Sequence, residues 1–344
     1  MMRTIVQWSD PHNLFRTKNM HVIAGDIGGT KSWLVWLVQA AHKPTKVLFE
    51  QRYESAKFDS ATELLRAFMS DAERPVPPDM LCLALPGPVE QRSVTLTNLD
   101  WVVDADELGS DLNIGDVRFV NDFQAAAAGV ATLQKTDYVV LNPGLVRLGA
   151  TRVITGAGTG LGLAWMQADK DGEYQTFATE GGHIDFAPAN QQQYELFLWM
   201  ASSQKMSTGA HVSWERMLSG AGLTLIYEFN YFTAKGCVDQ VMPDAAKIHA
   251  DALANESIAI NSVQMFADIY AAWIGNLALL YQPRGGLYIA GGMAIHLQAW
   301  LKDERFLHIA VDKGRMAELV RQTPIYLITN ARLGVQGAMK IASC

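Results

Sequence analysis

The sequence predicts an α/β protein of two domains sharing a central cleft. Three observations carry that prediction. The chain has 344 residues, enough for two cores of ordinary domain size. Short runs of strand formers alternate with helical periodicities along it. A unit of strand, glycine-and-threonine turn and strand occurs at Gly25-Asp26-Ile27-Gly28-Gly29-Thr30. It recurs, one domain later, at Thr155-Gly156-Ala157-Gly158-Thr159-Gly160-Leu161-Gly162. The expected division is an arm at 1–20, a smaller domain at 21–132 plus 328–344, and a larger domain at 133–327.

Composition narrows the class. Hydrophobic residues make up 49% and charged residues 18%, as in a globular protein and not a disordered one. A net charge of −7 argues against nucleic acid as a partner, so a bound nucleotide must be held by local N–H groups and a cation. Cys82, Cys237 and Cys344 fall in no metal-ligand or redox spacing, and a reducing cytoplasm is expected. The N-terminus lacks the apolar core of a signal peptide. The longest apolar stretch, 269–281, contains Gly275 and Asn276 and is too short for a membrane span.

The first turn lies between strands expected at 21–24 and 33–38. Its glycines remove the Cβ atoms that keep a backbone away from an anion and allow positive φ. Thr30 can donate to a phosphate, and Asp26 is placed to hold Mg²⁺, directly or through water. Neither G-x-x-x-x-G-K-[ST] nor G-x-G-x-x-G before a helix is present. A third strand is expected at 46–53, then a helix at 60–69 with Ser60 as N-cap and Glu63 completing a capping box. Pro75, Pro77 and Pro78 break it. A buried strand at 80–85 ends in Pro86-Gly87-Pro88, a turn that is either purely structural or a ligand loop. Asn98 lies in the next segment. A strand at 116–120 leads to a helix at 123–131, with Asn121-Asp122 at the junction. An Asp there is an N-cap or, facing a γ-phosphate, the base that takes a proton from an attacking hydroxyl.

Residues 133–137 read as a passage between domains. Strands follow at 138–142 and from 152, the latter running into the second turn. In Glu180-Gly181-Gly182-His183 two glycines allow a sharp bend that points acid and histidine at one small polar ligand. Glu215 follows the N-cap Ser213, so its carboxylate sits in a helix's first turn, where the macrodipole favours the charged form. A long helix at 256–281 carries Ala259, Val263, Phe266, Tyr270, Trp273, Leu277 and Leu280 on one stripe, read as core. Pro283 ends it. A strand at 287–290 precedes Gly291-Gly292, which opens a helix through Trp300 and permits close approach of a base or ribose. A terminal helix at 334–341 returns to the first domain.

With these pieces in place, the chain resembles the bacterial ATP-dependent glucokinases of the hexokinase/actin/heat-shock ATPase superfamily. The signatures are Gly25-Asp26-Ile27-Gly28-Gly29-Thr30, Asn121-Asp122-Phe123, Gly158-Thr159-Gly160-Leu161-Gly162, Glu180-Gly181-Gly182-His183 and Ile289-Ala290-Gly291-Gly292. The resemblance implies a two-domain actin-like ATPase (ribonuclease H-like) fold and phosphorylation of glucose at the 6-hydroxyl by MgATP. It makes Asp122 the general base, with Asn121, Glu180, His183, Glu215 and, as a further support, Asn98 on the sugar. Gly25, Asp26, Gly28, Gly29, Thr30 and Lys31, with Gly158, Thr159 and Gly160, hold the phosphates and the metal. Gly291 and Gly292 lie near the adenosine. A homodimer is expected from the family alone.

Lys31 stands where the compared glucokinases have Asn, and in that it looks more like the repressor/open-reading-frame/kinase family, whose cysteine-rich zinc motif is absent. Two rival readings remain. One is an actin-like or chaperone-like ATPase switch, which has no use for the Glu180, His183 and Glu215 cluster. The other is a sugar sensor without catalysis, against which Asp122 argues.

Overall fold

The computed structural model describes residues 19–343 apart from 41–44, 75, 88, 90–91, 97–98, 203–210 and 239–240. The expected arm, apart from its last two residues, lies outside that range, as do Asn98 and Cys344. Contacts divide the chain into two units, one ending at Gly129 and resuming at Gly334, the other spanning Val130–Leu333.

In the first unit β1 (Met20–Ile27), β2 (Lys31–Gln39) and β3 (Lys46–Glu54) form an antiparallel meander. The helix α1 (Ala61–Asp71) follows, then β4 (Met80–Leu85), the small hairpin β5 (Ser93–Leu96) and β6 (Trp101–Asp104), α2 (Ala105–Leu112), β7 (Asp116–Asn121) and α3 (Asp122–Gly129). The sheet order is β3-β2-β1-β4-β7, with β1, β4 and β7 parallel.

Strand period explains the two cores. Ile23, Ile27, Leu34, Trp36, Leu81 and Leu83 bury one face in a cluster shared with Leu64, Leu65 and Phe68 of α1. Val22, Ala24, Val35, Leu37, Cys82 and Ala84 bury the other with Ala125 of α3 and Val335 and Ala338 of the C-terminal helix Leu333–Ile341. That second face is built from small residues, so its helices come close. A Cβ added at Gly337 would overlap the Ala125 carbonyl. Gly337→Ala is therefore expected to cost about 1–3 kcal/mol through overpacking, measured as a lower midpoint in urea at unchanged m-value.

Local signals were mostly realised, with instructive shifts. Ser60 caps α1 by accepting the Glu63 N–H at 3.1 Å, but the Glu63 carboxylate returns to the Asp59 N–H at 2.7 Å, one residue earlier than the usual box. At the β7–α3 junction the cap is Asn121, whose Oδ1 accepts from the N–H groups of Phe123 and Gln124 at 3.0 and 3.1 Å. The helix ends at Gly129 and tightens into a 3₁₀ turn over Val130–Thr132.

The second unit contains β8 (Tyr138–Asn142), β9 (Arg152–Ala157), β10 (Leu161–Ala168), β11 (Tyr174–Thr179), α4 (Gln191–Ser202), α5 (Trp214–Met217), α6 (Gly220–Lys235), α7 (Ala245–Leu253), α8 (Ser257–Tyr281), β12 (Gly286–Ala290), α9 (Gly292–His296), α10 (Gln298–Leu301), α11 (Glu304–Val311), α12 (Ala317–Arg321) and β13 (Ile325–Ile328). Its sheet order is β11-β10-β9-β12-β13-β8. An antiparallel meander followed by two parallel strands repeats the wiring of the first unit. The repetition expected from the two turns is thus a repetition of whole sheets.

The 25-residue α8 is capped by Glu256, which accepts from the N–H groups of Ile258 and Ala259. Six of the seven stripe residues are buried; Leu280 is 67% exposed, because the last turn extends beyond the core. Length and composition would suit a membrane span, yet 78% of its most apolar window is buried inside the protein, among α6, α7 and α11. The single helix expected from Gly292 to Trp300 is two short ones. Leu297 leaves helical geometry at ψ 11°, with its side chain buried in the core.

Candidate active site

Each glycine turn joins two antiparallel strands, and each is braced by side chains from elsewhere in its own unit. In the first, the Gly28 N–H donates to the Lys31 carbonyl at 3.1 Å. Ser55 supports it from beneath: its N–H donates to the Thr30 carbonyl at 3.1 Å, and its hydroxyl donates to the Gly28 carbonyl at 2.7 Å. Thr30 and Lys31 are exposed at the tip, and Gly28 and Gly29 are partly exposed. Gly25 is different. It lies inside β1, where a Cβ would press on Leu34 and Leu83, so its missing side chain serves packing and not the turn expected for it.

Asp26, the last residue but one of β1, lies beside the start of the C-terminal helix, and a Cβ at Gly334 would collide with its carboxylate. Burial, with the nearby charge of Asp122 added, pushes the Asp26 carboxyl up to about 7. Asp122 begins α3, and its Oδ1 accepts the Phe123 N–H at 2.8 Å. Since Asn121 makes the cap, Asp122 is spared that task alone. Asn121 also donates from Nδ2 to the Gly87 carbonyl at 2.9 Å, which gives the Pro86-Gly87 turn a structural role and leaves one amide hydrogen for a ligand.

In the second unit the Gly158 N–H donates to the Gly160 carbonyl at 2.8 Å. Thr159 is exposed at the tip. Tyr270 accepts the Ala157 N–H at 3.2 Å. Trp273 donates to Thr155 Oγ1 at 3.1 Å, and that hydroxyl donates on to the Gly162 carbonyl at 2.8 Å. The Gly220 N–H, opening α6, donates to the Gly158 carbonyl at 2.9 Å. Gly291 has φ +91°, and its Cβ would meet the Ala157 carbonyl at 2.6 Å; around Gly292 there is open space. Gly291 therefore abuts the end of β9, and Gly292 leaves room beside it.

The acid and histidine segment forms a 3₁₀ turn over Gly181–His183. Gly182 is required by contact, since a Cβ there would strike the Leu161 carbonyl, whereas one at Gly181 would press on the end of the Leu163 side chain. Backbone bonds from Trp214 to Ile184 and from Phe186 to Val212 staple this segment to the start of α5, and Phe186 packs on Trp214 with ring centroids 5.1 Å apart. The result is convergence. His183 Nε2 lies 3.7 Å from Glu180 Oε2 and 3.8 Å from Glu215 Oε2, while Glu215 Oε2 also accepts the Leu161 N–H at 3.0 Å. Ser213 caps α5 as expected.

Two carboxylates and an imidazole gathered at one partly exposed point form a cluster of acceptors and donors suited to a polyol. A second set of groups surrounds glycine turns suited to phosphates. The glucokinase family model matches residues 23–343. The chain belongs to the glucokinase family. The glucokinase of Nostoc sp. (strain PCC 7120) is 33% identical over 341 residues, covering 94% of this chain and 98% of that one. Among solved structures, glucokinase from an Antarctic psychrotroph superposes with a TM-score of 0.77 at 26% identity, covering 93% and 98% of the two chains. A ROK family glucokinase from Streptomyces griseus, solved in complex with glucose and AMPPNP, superposes with a TM-score of 0.62 at 19% identity, covering 93% and 98%. The fold of this glucokinase-family chain is accordingly the two-domain actin-like ATPase fold.

The bracing residues Ser55, Tyr270, Trp273 and Gly334 carried no local signal of their role. The Ser219-Gly220-Ala221-Gly222 run, a cap residue followed by paired glycines, is the one feature that marked such a position in the sequence.

Proposed function

We propose that this protein transfers the γ-phosphoryl group of ATP to the 6-hydroxyl of glucose, giving glucose 6-phosphate and ADP. The observation that carries this reading is the convergence of Glu180, His183 and Glu215, a cluster that needs a small polar ligand. An ATPase switch has no use for it. The glucose and AMPPNP bound by the Streptomyces griseus relative support the same pair of substrates here.

In this reading Glu180, His183 and Glu215 bind sugar hydroxyls, and Asn121 offers its remaining amide hydrogen. Asp122 accepts the 6-hydroxyl proton as that oxygen attacks phosphorus in line. Phosphoryl transfer has a loose transition state, so positioning and charge neutralisation carry most of the rate, and the base adds about 10²- to 10⁴-fold. The turns at Gly28-Gly29-Thr30 and Gly158-Thr159-Gly160 receive the phosphates, with Lys31 at the rim of the first. Gly291 and Gly292 border the adenosine.

Asp26 fits a Mg²⁺ ligand. It is a partly buried carboxyl pushed up to about 7 by desolvation and a neighbouring negative charge, a setting that a cation relieves. Among the described residues no group of three or more His, Cys, Asp or Glu forms a metal cage, which suits a cation that arrives with phosphate oxygens and keeps its waters. When bound, Mg²⁺ supplies neutralisation of phosphate charge. The homodimer and the cytoplasmic location implied by the family are part of the same proposal.

The test is ADP release by the purified protein with MgATP, with and without glucose and beside a panel of other hexoses. A large glucose-dependent rate is expected. Slow, sugar-independent release would favour the ATPase switch, and glucose binding without turnover the sensor.

A further inference from the structure

Glu215 belongs to two sets of contacts at once. Its Oε2 accepts the Leu161 N–H at 3.0 Å and lies 3.8 Å from His183 Nε2. Leu161 is the first residue of β10 and directly follows the Gly158-Thr159-Gly160 turn. The carboxylate lies against Gly160 so closely that a Cβ there would stand 2.5 Å from Oε2 and 3.3 Å from Cδ. The side chain is 29% exposed, so a ligand can reach it. The other braces of this turn, Tyr270, Trp273 with Thr155, and Gly220, come from α8 and α6 and are not part of the sugar cluster.

We propose that Glu215 couples the sugar cluster to the phosphate turn of the same domain, so that glucose and nucleotide each raise the other's affinity through this one carboxylate. The inference rests on the substrate reading above. With Oε2 on Leu161, Oε1 is left to accept a sugar hydroxyl. A hydroxyl donated to it removes rotamer freedom from a long side chain and makes the Leu161 bond persistent. The turn it anchors has two glycines and loses more backbone entropy on ordering than other residues would. A phosphate then meets a turn already ordered, and its binding is tighter by that saving. Linkage makes the effect reciprocal. This positioning role is distinct from the direct contact of Glu215 with sugar.

Glycine substitutions separate the two roles. Gly160→Ala adds a Cβ onto the Glu215 carboxylate and displaces it from Leu161. Glucose binding to the full-length protein is measured by calorimetry with and without saturating AMPPNP. In the parent the nucleotide should tighten glucose binding by about fivefold or more, the low end of ordinary coupling. In Gly160→Ala glucose should bind more weakly and the coupling should fall below about twofold. Gly115→Ala, outside the site and with nothing within 4 Å of an added Cβ, should leave both glucose affinity and coupling at the parent values. A readout without substitution guards against misfolding: glucose alone should slow hydrogen exchange at the Leu161 amide in the parent.

Parental coupling in Gly160→Ala, or exchange at Leu161 indifferent to glucose, overturns the inference while leaving the proposed activity intact. A parent that binds no glucose overturns the activity itself.

Discussion

Asp122→Asn is expected to lower kcat by about 10²- to 10⁴-fold, the usual contribution of a positioned base, with little change in the KM for glucose or ATP. The local structure makes this substitution clean. Asn121 caps α3 through the Phe123 and Gln124 N–H groups, so the helix does not depend on residue 122 for its cap. The bond that residue 122 does accept, from the Phe123 N–H, can be accepted equally by an Asn Oδ1. Shape and helix start are kept; the proton acceptor is lost, together with the charge that helps to raise the Asp26 carboxyl. A loss confined to kcat is the signature of an interaction made in the transition state. Steady-state kinetics beside circular dichroism would decide it, and near-parental turnover would remove Asp122 from the role of base.

How much of this was legible in the sequence depended on how local each cause was. The two turns were readable because glycine and threonine between runs such as Trp33-Leu34-Val35-Trp36 carry their own geometry. The start of α8 at Glu256 and its end near Pro283 were readable for the same reason, as was the Ser60 cap. The β5–β6 hairpin and α2 were passed over because each is short, with four to eight residues and no sustained period. Harder still were the braces. Tyr270 meets Ala157 across 113 positions and Trp273 meets Thr155 across 118. Before the fold is known, both read as core residues on the stripe of α8, which they also are. Gly25 shows the reverse error. A glycine within a phosphate-type motif looks like part of the turn, yet its position in β1 between Leu34 and Leu83 is set by sheet packing. The candidate residues Glu180 and His183 could be singled out because acid, histidine and glycine in that order suggest a chemistry, and the structure brings them beside Glu215. What fixes them in space, such as Ser55 under the first turn or Gly334 against Asp26, is a product of tertiary contact.

Asp26 yields the second large effect, and it runs in opposite directions for stability and activity. In the folded chain its carboxyl is pushed up to about 7, first by burial and then by Asp122. In the unfolded chain it returns to an ordinary carboxylate value near 3.9. Between these limits the folded state holds a proton that the unfolded state has released, so stability falls as pH rises across that window and the loss is complete above about 7. Asn has no proton to lose and nearly the same shape against Gly334. Asp26→Asn should therefore match the parent near pH 4, gain stability steadily towards pH 7, and hold a constant advantage above it, on the order of a few kcal/mol. Urea denaturation of parent and variant at pH 5, 6, 7 and 8, without nucleotide or metal, measures the difference. The same variant should lose most of its glucose-dependent ADP release, since an uncharged amide is a poor partner for the cation that accompanies ATP. The pH-dependent gain follows from the raised carboxyl alone, whereas the loss of ADP release follows only if Asp26 serves the cation; retained activity would remove it from that role. A carboxyl that the fold holds at a cost, and that the proposed reaction uses, would mark a point where stability is given up for function.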